Sequence, residues 1–178
     1  MIIPFLPIYL LELGVPKADV ALWSGLVFGI TFLIAGIMAP IWGKIADNKG
    51  KKRMALRAGF AIAFCYVLIG LVTDQYQLLM GRALVGFANG FYPAAMTMVS
   101  LSVDEKQVGR ALGIFQTGLI LGNVIGPFLG GAVESVVGMR PVFYVSGVAV
   151  FIATLAVLFF VKEPKLHATG ADGKEQPA

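Results

Sequence analysis

The sequence predicts an all-α integral membrane protein, and three observations carry that prediction. First, 58% of the 178 residues are hydrophobic and only 13% are charged, with a mean hydropathy of +0.84. Soluble domains carry roughly a quarter charged residues. Second, long uncharged runs recur along the chain, among them Val20 to Gly43 and Ala111 to Val133. Such runs reach the roughly 20 apolar residues that a helix needs to cross a bilayer. Third, the segments between the runs alternate in charge. One set holds Lys44, Lys49, Lys51, Lys52, Arg53 and Arg57, then Lys106 and Arg110, then Lys162 and Lys165. The other set holds only Lys17 and Arg140, against Glu12, Asp19, Asp74 and Glu134.

Taken in order, the spans are expected at about 1–13, 20–43, 54–73, 75–102, 110–134 and 141–162, with 163–178 a polar tail. The apolar stretch before Glu12 is too short to span alone. It lacks the basic flank and small-residue cleavage site of a signal peptide. It reads as the outer half of a first helix whose beginning is missing. Arg57 stands at the start of the third span, where its side chain can snorkel to headgroups. Pro141 opens the sixth, where a missing N–H costs little. The tail is rich in Lys, Glu, Gly and Pro and reads as a disordered linker. By the positive-inside rule the basic segments face the cytoplasm, which places the chain as a multi-pass protein of the cytoplasmic membrane.

The +4 net charge is explained by this topology, so no nucleic-acid partner is expected. Cys65 is the single cysteine and lies in an apolar run, as a small buried hydrophobe does. His167 is the single histidine, so no metal site is expected. No paired carboxylates and no phosphate-cradling loop lie in the spans. An enzyme and a cofactor are therefore both unexpected.

Four motifs carry more. Gly43-Lys44-Ile45-Ala46-Asp47-Asn48-Lys49-Gly50-Lys51-Lys52-Arg53 joins the second and third spans. It reads as a basic loop in which Gly43 and Gly50 permit a tight reversal. Asp47, among cations, would cap a helix or pair with Lys or Arg. Taken singly, each lysine is explained by topology alone. Arg82 lies inside the fourth span, roughly 10 Å past Gln75 at ~1.5 Å per residue. A charge there costs at least about 2.5 kcal/mol by insertion scales. It either snorkels or faces the bundle interior. Gly86 and Gly90 follow it and suit close helix approach. In the fifth span Gly118, Gly122, Gly126 and Gly130 share one face, with Pro127 and Gly131 beside them. The glycines predict a smooth groove, and Pro127 a kink at the carbonyl of Asn123. The fourth motif, Asp104-Glu105-Lys106-Gln107-Val108-Gly109-Arg110, leads into the fifth span.

In order and spacing these motifs resemble those of the major facilitator superfamily, and of its drug:proton antiporter branch. Pro4-Phe5-Leu6-Pro7 resembles the outer part of that family's first helix, and the start of span six at Arg140-Pro141 also fits the branch. The chain departs at Asn48, where the family usually has Arg or Lys. The resemblance implies the six-helix N-terminal half of a major facilitator fold, a 3+3 inverted repeat with its first helix truncated. The sequence itself shows no convincing internal repeat. The resemblance further implies a secondary active transporter that exports drugs or toxic small molecules in exchange for protons. Its expected partners are a small hydrophobic substrate, protons, the lipid bilayer and a missing C-terminal six-helix half. Gly43, Asp47, Gly50, Lys51, Lys52 and Arg53 would then form a conformational latch against that half. Arg82 becomes the proton-coupling candidate, and Gly122, Gly126, Pro127, Gly130 and Gly131 the antiporter motif.

Phe91, Tyr92, Phe115, Gln116 and Asn123 are candidate substrate contacts, because they are aromatic or amide residues in spans expected to line a cavity. No acidic residue lies deep in any span, so a titrating carboxylate is not evident. The alternatives are a metabolite importer or facilitator of the same fold, and a non-transporting half-size subunit.

Overall fold

The computed structural model describes residues 5–161. Pro4, Lys162, Lys165, His167 and the polar tail lie outside the described residues. Among the described residues seven α-helices run α1 Leu6–Glu12, α2 Val20–Lys49, α3 Lys51–Gly70, α4 Gln75–Ala88, α5 Phe91–Leu101, α6 Val108–Val137 and α7 Met139–Phe160, with a 3-10 turn at Glu105–Gln107 before α6. Among the described residues, five helical stretches are long and apolar enough to cross a membrane: α2, α3, α4 with α5 as one, α6 with its leading turn, and α7.

Lipid, and not water, is the solvent this surface suits. Phe160, Val136, Phe159 and Phe128 are each more than three-quarters exposed, as apolar side chains can be only where they meet hydrocarbon or a partner. The interior is held by two helix pairs. α3 packs antiparallel to α7: Gly59 lies at Thr154, Gly147 at Ala63, and Gly70 at Tyr144. α2 packs parallel to α4, with Trp23 edge-on to Tyr76 and Gly86 against Thr31. At Gly86 a methyl group would stand 2.5 Å from the Thr31 carbonyl oxygen. Only a residue without Cβ lets these two backbones meet.

The main core sits at the end of the bundle remote from the basic stretch. Tyr9 and Leu10 of α1, Ile69 of α3, Leu78 of α4, and Met139, Val142 and Phe143 of α7 are buried there together. Tyr9 and Phe143 have ring centroids 4.7 Å apart. α6 is the most exposed element, with Gly126 and Gly130 its buried residues.

Three local expectations change. The expected basic loop is mostly helical. α2 continues through Gly43 to Lys49, and α3 restarts at Lys51. Gly43 is therefore helical, and Gly50 makes the reversal alone, at φ 96°. A span expected to be continuous from 75 to 102 is broken at Asn89-Gly90. Pro93 lacks the N–H that the Asn89 carbonyl would need, and that favours the break. The glycine face of α6 is only partly a packed groove. A Cβ at Gly118 or Gly122 would meet nothing within 4 Å, whereas one at Gly131 would touch Phe5 at 3.5 Å.

Candidate functional site

Arg82 points into the bundle and does not snorkel. It is 6% exposed, and its Nε and Nη2 have no hydrogen-bond partner among the described residues. Tyr66 of α3 is its electrostatic neighbour. The backbone carbonyl of Arg82 accepts from Thr31 Oγ1 at 3.2 Å, which ties this turn of α4 to α2. A guanidinium with buried, unsatisfied donors is a costly arrangement in a membrane interior. It is also a site ready for an anion, a carboxylate or water.

Three of the five cavity candidates meet. Gln116 Nε2 of α6 donates to the Tyr92 hydroxyl of α5 at 2.7 Å. Tyr92 and Phe115 stack at 6.0 Å between centroids. The result is a half-exposed aromatic shelf with an amide on its rim. Phe91 turns away from it and joins Phe115, Met98 and Val157 around an apolar cavity of about 290 Å³. Asn123 lies two turns beyond Gln116 on α6 and is exposed.

In the basic stretch, Lys51 Nζ lies 3.6 Å from Asp47 Oδ1 across the Gly50 turn. Asp47 belongs to the last turn of α2 and caps no helix start. Lys52 Nζ donates to the Leu158 carbonyl at 2.9 Å. That carbonyl lies in the last turn of α7, where helix acceptors have no intrahelical donor. The chain therefore engages Lys51 and Lys52 itself, while the exposed Asp47 carboxylate keeps room for contacts beyond Lys51 and Arg53 is exposed. Gly126 and Gly130 are buried, and Pro127 sits in a helix that continues through it.

One residue, Trp42, escaped the sequence reading. Trp42 Nε1 donates to the Phe87 carbonyl at 2.8 Å. The guanidinium of Arg57 lies 3.6 Å over the centre of the Trp42 ring. A tryptophan directly before Gly43 was the available signal, but periodicity does not say which neighbour an indole meets.

The family model of the Major Facilitator Superfamily matches residues 1–178. The chain belongs to the Major Facilitator Superfamily. As a major facilitator it is a multi-pass membrane protein of a transporter family. Its relatives include the "Multidrug resistance protein MdtG" of Proteus mirabilis (strain HI4320), 44% identical over 164 residues, which are 92% of this chain and 41% of the relative. The proteins of the same name from Dickeya zeae (strain Ech586) and Yersinia enterocolitica serotype O:8 / biotype 1B (strain NCTC 13174 / 8081) are 41% and 42% identical, each over 92% of this chain and 40% of the relative. The major facilitator chain thus spans about two-fifths of the length of these curated relatives.

Proposed function

We propose that this chain is the N-terminal half of an exporter that moves hydrophobic drugs out of the cell in exchange for protons. The observation that carries the reading is the 40–44% identity, over 92% of the chain, to proteins named for multidrug resistance. The geometry supports it. The apolar cavity beside Phe91 and Phe115 suits a greasy ring system. The shelf of Tyr92, Phe115 and Gln116 adds stacking and two neutral hydrogen-bonding groups, the Tyr92 hydroxyl and the Gln116 amide, which fix orientation without demanding a single substrate. Arg82 offers buried donors to a group whose protonation changes during the cycle.

In this reading the basic end faces the cytoplasm, in the cytoplasmic membrane. A second six-helix half completes the cavity and meets Asp47 and Arg53. The halves rock about the central site, and proton and drug favour opposite states. The test is drug-dependent proton movement in everted membrane vesicles carrying the complete transporter. Addition of a hydrophobic drug should dissipate an imposed pH gradient, and Arg82→Ala should abolish that response with protein levels unchanged. Drug equilibration without proton movement would favour the facilitator. Undiminished proton exchange in Arg82→Ala would remove Arg82 from the coupling.

A further inference from the structure

The break between α4 and α5 leaves the Phe87 carbonyl without its helical donor. In a continuous helix that donor would be the amide of Phe91. Phe91 instead opens α5, where first-turn amides have no intrahelical acceptor. The orphaned carbonyl is taken by the indole N–H of Trp42, at 2.8 Å. The indole is held from other sides as well. The Phe87 ring meets it edge-on at 5.3 Å and 81°. Arg57 of α3 covers its face at 3.6 Å. Trp42 is bonded directly to Gly43, the first residue of the basic stretch. A cavity of about 250 Å³ lies against the break, lined in part by Trp42, Asp47, Lys51, Gly90, Tyr92 and Pro93.

We propose that Asn89-Gly90 is a hinge, and that Trp42 is the positioning residue that holds it bent. When the indole lets go, the Phe91 amide takes over the Phe87 carbonyl and α4 runs on into α5. One donor replaces another at the Phe87 carbonyl, and the Asn89 carbonyl, which faces Pro93, has no helical donor in either form, so neither form gains a bond at these two carbonyls. Joining also shifts Tyr92, the second residue of α5, against Gln116 and Phe115. The hinge thereby links the basic stretch to the aromatic shelf. Its use in transport rests on the efflux reading above, whereas the catch itself stands on local geometry.

Hydrogen exchange of the complete polypeptide in lipid nanodiscs tests the catch without any transport. Trp42→Phe keeps a ring against Phe87 and Arg57 but removes the N–H. The amides of Phe91 and Tyr92 should then exchange about tenfold more slowly, the scale of one helical hydrogen bond gained. Gly90→Ala, where a Cβ has ordinary room 3.7 Å from Trp42, favours the joined helix by propensity and should slow the same amides. A merely structural tryptophan predicts faster exchange around the break. Unchanged or faster exchange at 91–92 in both variants overturns the proposal. A failed efflux assay leaves the catch standing, and a failed exchange experiment leaves the efflux reading standing.

Discussion

The hydroxyl of Tyr9 donates to the carbonyl of Ile69 at 3.0 Å, inside the core that joins α1 to α3. Tyr9 is completely buried and also packs on Phe143 of α7. A seven-residue helix is too short to hold itself together, so α1 owes its place to this side chain and its neighbours. Tyr9→Phe removes one buried hydrogen bond and should lower stability by about 1 kcal/mol. Tyr9→Ala also opens a cavity and should cost about 3–5 kcal/mol. Thermal unfolding in detergent reads both. Equal midpoints for Tyr9→Phe and wild type would mean that the hydroxyl contributes nothing.

Two glycine positions should behave in opposite ways. Gly86→Leu sets side-chain atoms against the Thr31 backbone, where even a Cβ would be 2.5 Å from oxygen. Helices α2 and α4 must separate, and folded yield should fall severalfold. Gly122→Ala meets nothing within 4 Å among the described residues, so folding of this chain should be unchanged. Loss of efflux in the complete transporter with Gly122→Ala would then mark the open end of the glycine face as a contact for other chain. Size-exclusion profiles and drug-resistance growth separate the two effects.

Much of this architecture was legible in residue order. Uncharged runs such as Val20–Gly43 mark membrane helices because lipid tolerates few charges. Alternating charge gives the up-and-down course, and the motifs around Asp47, Arg82 and Pro127 point to the family. The partners of side chains were not legible. Hydropathy cannot show that Trp42 reaches Phe87, or that Lys52 reaches Leu158. It also could not show that helix persists through Gly43–Lys49, because glycine and lysine are as common in loops as in helix ends. The break at Asn89-Gly90 had a visible cause in Pro93, but an apolar run reads as one span whether or not its hydrogen bonds continue. The face that Arg82 presents depends on Gly86 and Thr31 bringing α4 to α2, a fact of packing and not of spacing.

Asp47 separates stability from mechanism. Its side chain is 70% exposed and its contact with Lys51 is long, at 3.6 Å. Surface pairs of this kind contribute about 0–1 kcal/mol. Asp47→Asn should therefore leave the unfolding midpoint of the protein nearly unchanged. If the exposed carboxylate meets the proposed second half, the same variant should reduce drug efflux by an order of magnitude or more, about 1.4 kcal/mol of lost state preference per factor of ten. Unaltered efflux would remove Asp47 from the latch.

Arg82 gives the sharpest contrast, because its effects on stability and on transport should have opposite signs. The guanidinium is 6% exposed with Nε and Nη2 unsatisfied. Burying a charge without a partner costs free energy on the order of 2–3 kcal/mol at the centre of a membrane helix. Methionine matches the length of the arginine stem, carries no charge and repacks easily. Arg82→Met should raise the unfolding midpoint and, on the proposed exporter reading, abolish proton-coupled efflux of the complete transporter. Arg82→Lys keeps a charge but presents three donors at one point instead of a planar fork. It should recover part of the transport and none of the added stability. Were Arg82→Met less stable than wild type, the orphaned nitrogens would have to be engaged in the membrane by a lipid, water or second-half group strong enough to offset their burial. On the proposed reading, a coupling carboxylate would then be sought at the residue facing Arg82.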